Sequence, residues 1–294
     1  MMNPVPEVAR VNAAAANGWG RSAALRLSLL ALSAGAVTGA VSACSASPSS
    51  LAADPVAAVR NAASDAAKIH SAKVATSVTM AVGGASRQFT GSGEFDFDHQ
   101  VGAIQLLTPQ SPTPLDEIIT PSTLYLRLSG ADAKWKMVDA TKLPDGDLIS
   151  AGYTSPVFDF ALLRGVNSDA VQYVGQDTVR DTKVAHYTGT LDLTASANEA
   201  QSPIKDELLA ASHSFSNKSV PFDVYVDSVG EVRRVVAHFA FPAEAPQKGQ
   251  VEIAATTDLF DFDQPVTVST PSTKDLAVPS ASTSPSASAT HRHS

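Results

Sequence analysis

A chain of 294 residues with 44% hydrophobic and 17% charged residues has room for one or two domains. Its single Cys, Cys44, excludes an intramolecular disulfide and any Cys-rich metal site. A mean hydropathy near zero excludes a polytopic membrane protein. The balance of 21 basic to 29 acidic residues excludes a generic nucleic-acid binder, which would be basic.

Residues 1–43 read as an address. Arg10, Arg21 and Arg26 precede an apolar run from Leu27 to Val37, and small residues follow up to Val41-Ser42-Ala43-Cys44. A charged start, about 7–15 apolar residues and a small-residue cleavage site describe a secretory signal peptide. The run is too short and too rich in Ala, Gly and Ser for a membrane span, which needs about 20 strongly apolar residues. No Arg-Arg pair precedes it, so the general secretion route is expected. Val-Ser-Ala-Cys is similar to the lipobox of bacterial lipoproteins, which implies acylation of Cys44, palmitate included, as the new N-terminus. Each buried CH₂ contributes about 0.8 kcal/mol, so two or three chains hold such a protein at a bilayer. Loss of three basic residues and Glu7 with the signal leaves the remainder at net −10. That charge disfavours docking on anionic headgroups. Residues 44–53 then form a lipidated Ser/Ala/Pro tether.

Asp54-Pro55 is an N-cap followed by Pro at the first helical position, and Val56, Val59, Ala63, Ala66 and Ile69 make one apolar helix face ending near His70. Alternation with period two follows. Val74, Thr76, Val78, Met80 and Val82 share a face, Gly83-Gly84 turns the chain, and Phe89, Gly91, Gly93, Phe95 and Phe97 share the next face. His99-Gln100 leads into a third strand, 101–107. The Pro-rich stretch 108–114 is expected to leave the sheet, because Pro cannot serve a central strand. Residues 118–119 and 124–128 form a hairpin around Pro121-Ser122, and 135–138 add a short strand. Residues 143–156 read as loop and 157–163 as a short helix. Strands are expected at 171–174 and 184–193. Ser202-Pro203 is expected to cap a helix carrying Ile204, Leu208 and Ala211 on one side. Strands at 220–226, 232–241 and 251–262 complete the pattern. In 269–294, 15 of 26 residues are Ser, Thr or Pro, a composition that cannot bury enough apolar area to offset its ordering entropy. The expected organisation is therefore a folded domain at 54–265 and a disordered tail at 266–294. About ten strands and three helices predict an α+β fold: one strongly curved antiparallel sheet, a half-barrel, with helices on one side.

The order of these elements resembles the LolA-like lipoproteins of the LppX/LprG type. The resemblance rests on Cys44 and on four segments: IITPSTLYLRLSGADAKWKMVD at 118–139, VGQDTVRDTKVAHYTGTLDL at 174–193, VPFDVYVDSVGEVRRVVAHF at 220–239 and DLFDFDQPVTVSTPS at 258–272. It implies helices on the concave side of the half-barrel, and between them an apolar cavity for acyl chains of lipids or lipoglycans. It supplies no binding residue that can be carried over. The alternation itself nominates Val78, Met80, Phe95, Phe97, Val224 and Val226 to line such a cavity, although any sheet buries an alternating face. An empty apolar cavity costs about 24 cal/mol per Å³, so a large one must be collapsed, hydrated or filled.

Motifs for chemistry are weak. Ser202-x-x-Lys205 has the spacing of acyl-serine enzymes, but the Ser-Asp-Asn and Lys-Thr-Gly partners are absent and helix capping explains the Ser-Pro pair. No nucleophile elbow, P-loop or dinucleotide fingerprint occurs. Glu94, Asp96 and Asp98 stand about 6.6–6.8 Å apart along a strand face. They read as a solvated edge rather than a Ca²⁺ site, as do Asp258, Asp261 and Asp263. His70, His99, His186, His213 and His238 are scattered singly, so neither a metal nor a cofactor is expected. Two readings stand. The first is a non-enzymatic lipid-binding carrier on the extracytoplasmic face of the cell membrane. Its partners are an amphiphile and, through acylated Cys44, the bilayer, and segment 108–114 or 143–156 forms its entrance. The second is a regulator on the same half-barrel that binds an envelope protein.

Overall fold

The computed structural model describes residues 54–108, 111–130, 133–139, 155–167, 169–216, 218–243 and 249–277. Cys44 and most of the 143–156 segment lie outside them.

Among the described residues eleven antiparallel strands form one sheet. They are β1 (Ser71–Val82), β2 (Ala85–Asp96), β3 (Val101–Thr108), β4 (Ser111–Ile119), β5 (Thr123–Leu128), β6 (Lys136–Asp139), β7 (Gln172–Val179), β8 (Thr182–Asp192), β9 (Ser219–Asp227), β10 (Val232–Pro242) and β11 (Gln250–Phe260). The spatial order is β6-β5-β4-β3-β2-β1-β11-β10-β9-β8-β7. Two meanders, one from each half of the chain, thus join where β1 pairs with β11 from Lys73↔Phe260 to Val82↔Val251. The sheet stays open, with β6 and β7 at its edges. Among the described residues four α-helices fill the interruptions: α1 (Pro55–Asp65) before β1, α2 (Pro156–Arg164) between β6 and β7, and α3 (Leu193–Glu199) and α4 (Ile204–Ser214) between β8 and β9.

Period two decides which side is core. On β1, Ala72, Val74 and Val78 are buried with Thr76 between them. Register carries the same face across the sheet, for example along Leu126, Glu117, Ile104, Gly93, Val74 and Leu259. This face is concave, and β2 shows what its curvature requires. A Cβ on Gly93 would lie 1.9 Å from the carbonyl oxygen of Ala103, and one on Gly91 would lie 2.6 Å from Thr76 Oγ1. Glycine at a sheet bend lets neighbouring backbone approach where any side chain would block it.

The helices pack on one another and over β7–β9. Asp54 caps α1 by accepting from the Ala57 amide at 2.9 Å, and Pro55 follows as first helical residue. Val59, Ala62 and Ala63 point into the core. Asp192 caps α3 from the Ala195 amide at 2.7 Å. The α2–α3 contact is close: Ser196 Oγ donates to the Leu162 carbonyl at 2.8 Å, and a Cβ on Gly165 would lie 2.0 Å from that hydroxyl.

The convex face carries an ionic seam. Arg234 grips Asp258 with two bonds of 2.5 and 2.8 Å, and Arg180 reaches the same carboxylate at 3.3 Å while lying 3.9 Å over the Phe260 ring. Arg233 pairs with Asp227 and Glu231.

Several expectations need correction. Thr108 and residues 111–114 do not leave the sheet, since β3 ends at Thr108 and β4 starts at Ser111. The ladder passes from Leu106↔Leu115 to Thr108↔Ser111, so Pro112 and Pro114 fall in the register shift and no ladder bond needs their missing N–H. Ser202 does not cap α4: Pro203 stands at the cap position without a side-chain bond, after a cis Ser202–Pro203 peptide. The strand expected to run to Leu193 stops at Asp192, where capping begins α3, a helix too short to show a period. Trp135 lies just outside β6, bridged to Leu276. Backbone contacts of the described residues continue to 277. The Trp135 amide donates to the Asp275 carbonyl at 2.9 Å, and the Ala277 amide donates to the Trp135 carbonyl at 2.8 Å.

Candidate functional site

The concave face opens in a cleft of about 480 Å³. It forms where four elements end together: the turn after α1, the end of β2, the outer side of α2 and the α3–α4 connection. The apolar lining comes from Ile69, Phe97, Val157, Phe160, Ala161 and Ile204. Two of these side chains, Phe97 and Phe160, continue inward to Phe95 as an aromatic ladder. Phe97 stands 5.7 Å from Phe160 and 4.9 Å from Phe95, centroid to centroid, and Phe95 is 1% exposed. The cleft wall therefore rests on the packed core.

Its rim is charged. Asp98 pairs with His70 at 3.0 Å, and this carboxylate raises the imidazole pKa above its ordinary value. Arg164, in the last turn of α2, and Glu199, at the end of α3, complete the rim. A wet rim over an apolar floor suits a molecule with one polar end, in the size range of about 300–1,000 Å³ typical of ligand sites.

The sequence-nominated residues divide between cleft and core. Phe97 lies in the cleft wall. Val78, Phe95, Val224 and Val226 belong to the buried core, and Met80 packs partly buried against it. The acidic triplets are dispersed into local structure. Asp96 accepts from both the amide and the ring of His99, at 2.9 and 2.8 Å. Asp261 pairs with Lys73 at 2.7 Å, and Asp263 accepts from the His70 amide at 2.9 Å. Among the described residues no three His, Cys, Asp or Glu side chains are grouped to hold a metal ion. No described helix is long and apolar enough to cross a membrane.

Three acids on the inner side were not singled out by sequence. Glu117 on β4 is 1% exposed, and among the described residues neither carboxyl oxygen has a hydrogen-bond partner. Burial alone pushes its pKa up to about 8. Glu207 on α4 is also buried, with both oxygens unpartnered among the described residues, and burial, helped by the neighbouring Asp206 charge, pushes it up to about 7. Burial pushes half-buried Asp159 on α2 up to about 7, opposed by a hydrogen bond from Thr257 on β11. The signal was parity: Glu117 alternates with Leu115 and Ile119 and so must face inward.

No family model matches the chain and no curated protein matches it. Among solved structures it is similar to the lipoprotein LppX of Mycobacterium tuberculosis, with TM-score 0.45 and 14% identity over 76% of this chain and 100% of that one. LprF from Mycobacterium bovis gives TM-score 0.40 and 15% identity over 74% and 96%. A LolA superfamily protein from Nitrosomonas europaea gives 0.31 and 8% over 70% and 93%. The likeness is one of fold: an open, curved antiparallel sheet with few helices.

Proposed function

We propose that the protein is a lipoprotein, anchored through acylated Cys44 on the extracytoplasmic face of the membrane, that binds the hydrocarbon of an amphiphile. The observation that carries this reading is the cleft of about 480 Å³, with its apolar floor of Ile69, Phe97, Phe160 and Ile204 beneath a charged rim. An acyl chain entering there replaces water on the apolar floor, at about 25 cal/mol per Å² removed from water. The headgroup stays at the rim beside Asp98, Arg164 and Glu199, where water still reaches it. Side chains that bind, orient and exclude water are all this role requires. The placement of the lipobox before a short tether supports the anchoring half of the reading. Native mass spectrometry of the purified full chain tests it. The expected result is a co-purifying amphiphile, released by organic extraction. A uniformly empty protein that instead captures a polypeptide would overturn it.

A further inference from the structure

Two adjacent acids on β4 meet opposite fates. Asp116 faces the convex side and is fully served: Gln105 donates at 3.2 Å, Arg127 at 3.1 Å and Ser129 at 2.5 Å. Glu117 faces the concave side between Ile104 on β3 and Leu126 on β5, with Leu115 and Ile119 before and after it on the same face. Both of its oxygens are buried and unpartnered among the described residues. A buried polar group without a partner costs on the order of several kcal/mol, and such a group calls for a specific explanation. A salt bridge is not that explanation, since Arg127, the basic residue of this hairpin, pairs with Asp116 across the sheet's other face.

The surroundings restrict what the partner can be. A metal ion would need further oxygen ligands, and Ile104, Leu126 and Ile119 offer none. Raised by burial, the carboxyl is a neutral acid at pH 7, with one O–H to donate. Its complement is one acceptor oxygen set within hydrocarbon. Glu117 also lies within reach of the cleft. Ile119 pairs with Gly102, Gly102 pairs with Phe95, and the Phe95 ring packs, tilted by 49°, against the cleft-wall residue Phe97. Glu117 is in register with Ile104 and Gly93; with strands about 4.8 Å apart and same-face residues about 6.6 Å apart, it stands about 16 Å from Phe97, roughly thirteen carbons of extended chain.

We propose that Glu117 is a binding residue that donates a hydrogen bond to a carbonyl or hydroxyl oxygen part-way along the hydrocarbon of the bound amphiphile, and so selects oxygenated chains over plain ones. This rests on the lipid-binding reading above. The test is titration of the full chain at pH 6 with two probes, stearate and 12-oxostearate, which differ in one mid-chain carbonyl. The wild type binds 12-oxostearate about tenfold more tightly, the worth of one well-made hydrogen bond. Glu117→Gln, which keeps a donor of the same shape, retains a preference. Glu117→Leu loses it and binds stearate at least as well as the wild type does. Thermal unfolding of each variant verifies the fold. Equal binding of the two probes by the wild type, or a preference that survives in Glu117→Leu, overturns the assignment to Glu117. Binding of neither probe overturns the carrier reading itself.

Discussion

Replacing Glu117 by Gln should stabilise the protein, by an amount that grows with pH. The unfolded carboxyl titrates near 4.5 and the folded one near 8, because burial in an apolar row disfavours the anion. Below pH 4.5 both states hold the proton and the residue contributes no pH-dependent cost. As pH rises the unfolded chain releases the proton and the folded one keeps it, so stability falls until the folded group ionises near 8. Each tenfold difference in proton affinity corresponds to about 1.4 kcal/mol. The loss is therefore about 3 kcal/mol at pH 7 and about 5 kcal/mol above pH 8. Gln has nearly the same volume and does not titrate. Urea unfolding of both proteins from pH 4.5 to 8.5 should give curves that nearly coincide at the acid end and separate steadily, with an unchanged denaturant slope. Asp159 and Glu207 titrate in both proteins and cancel in the difference. A difference that does not vary with pH would refute the reasoning, because it would mean that Glu117 is solvated or paired in solution.

Other consequences follow from particular contacts. Gly93→Ala should cost about 3 kcal/mol or more in chemical denaturation, since the new methyl meets backbone rather than a side chain that can turn away. Asp258→Ala, measured the same way, strands Arg234 and Arg180 and should cost about 2 kcal/mol. That is below the ~3–5 kcal/mol of a fully buried pair because Arg234 remains 32% exposed. Deleting residues 266–294 should uncover Trp135, now 7% exposed, and shift its fluorescence to longer wavelength; an unchanged spectrum would deny the strap seen at 275–277. Cys44→Ala should move the protein out of the membrane fraction and abolish palmitate labelling.

The sheet was legible because its burial is one-sided. Val74, Val78, Phe95, Val224 and Val226 alternate with polar residues, and period two has no other simple reading. The turns at Gly83-Gly84 and 227–230 were legible for a local reason. Gly83 and Gly84 take positive φ of 57° and 81°, and Asp227 accepts from the Val229 and Glu231 amides, both at 3.0 Å. What escaped was either too short or too distant. Helix α3 spans seven residues, fewer than two helical turns, so only its Asp192 cap could have marked it. The strap at 273–277 has the composition of a disordered tail and is held by Trp135, some 140 residues away in sequence. Prolines 112 and 114 were read by the rule for regular ladders, and the register shift that accommodates them has no local signature. For the site, a list of apolar inward residues found Phe97 but passed over Phe160 and Ile204, which helices bring to the cleft from far along the chain. It also passed over Glu117, because attention to apolar residues skips the polar one that shares their parity.

Photo-crosslinking with a diazirine-bearing palmitate tests the central claim most directly. With the full chain in limiting probe, label should concentrate on peptides containing Phe97, Phe160 or Ile204, and Phe97→Asp should remove most of it. Label spread over the outer strand face, or unaffected by that substitution, would contradict a hydrocarbon-binding cleft.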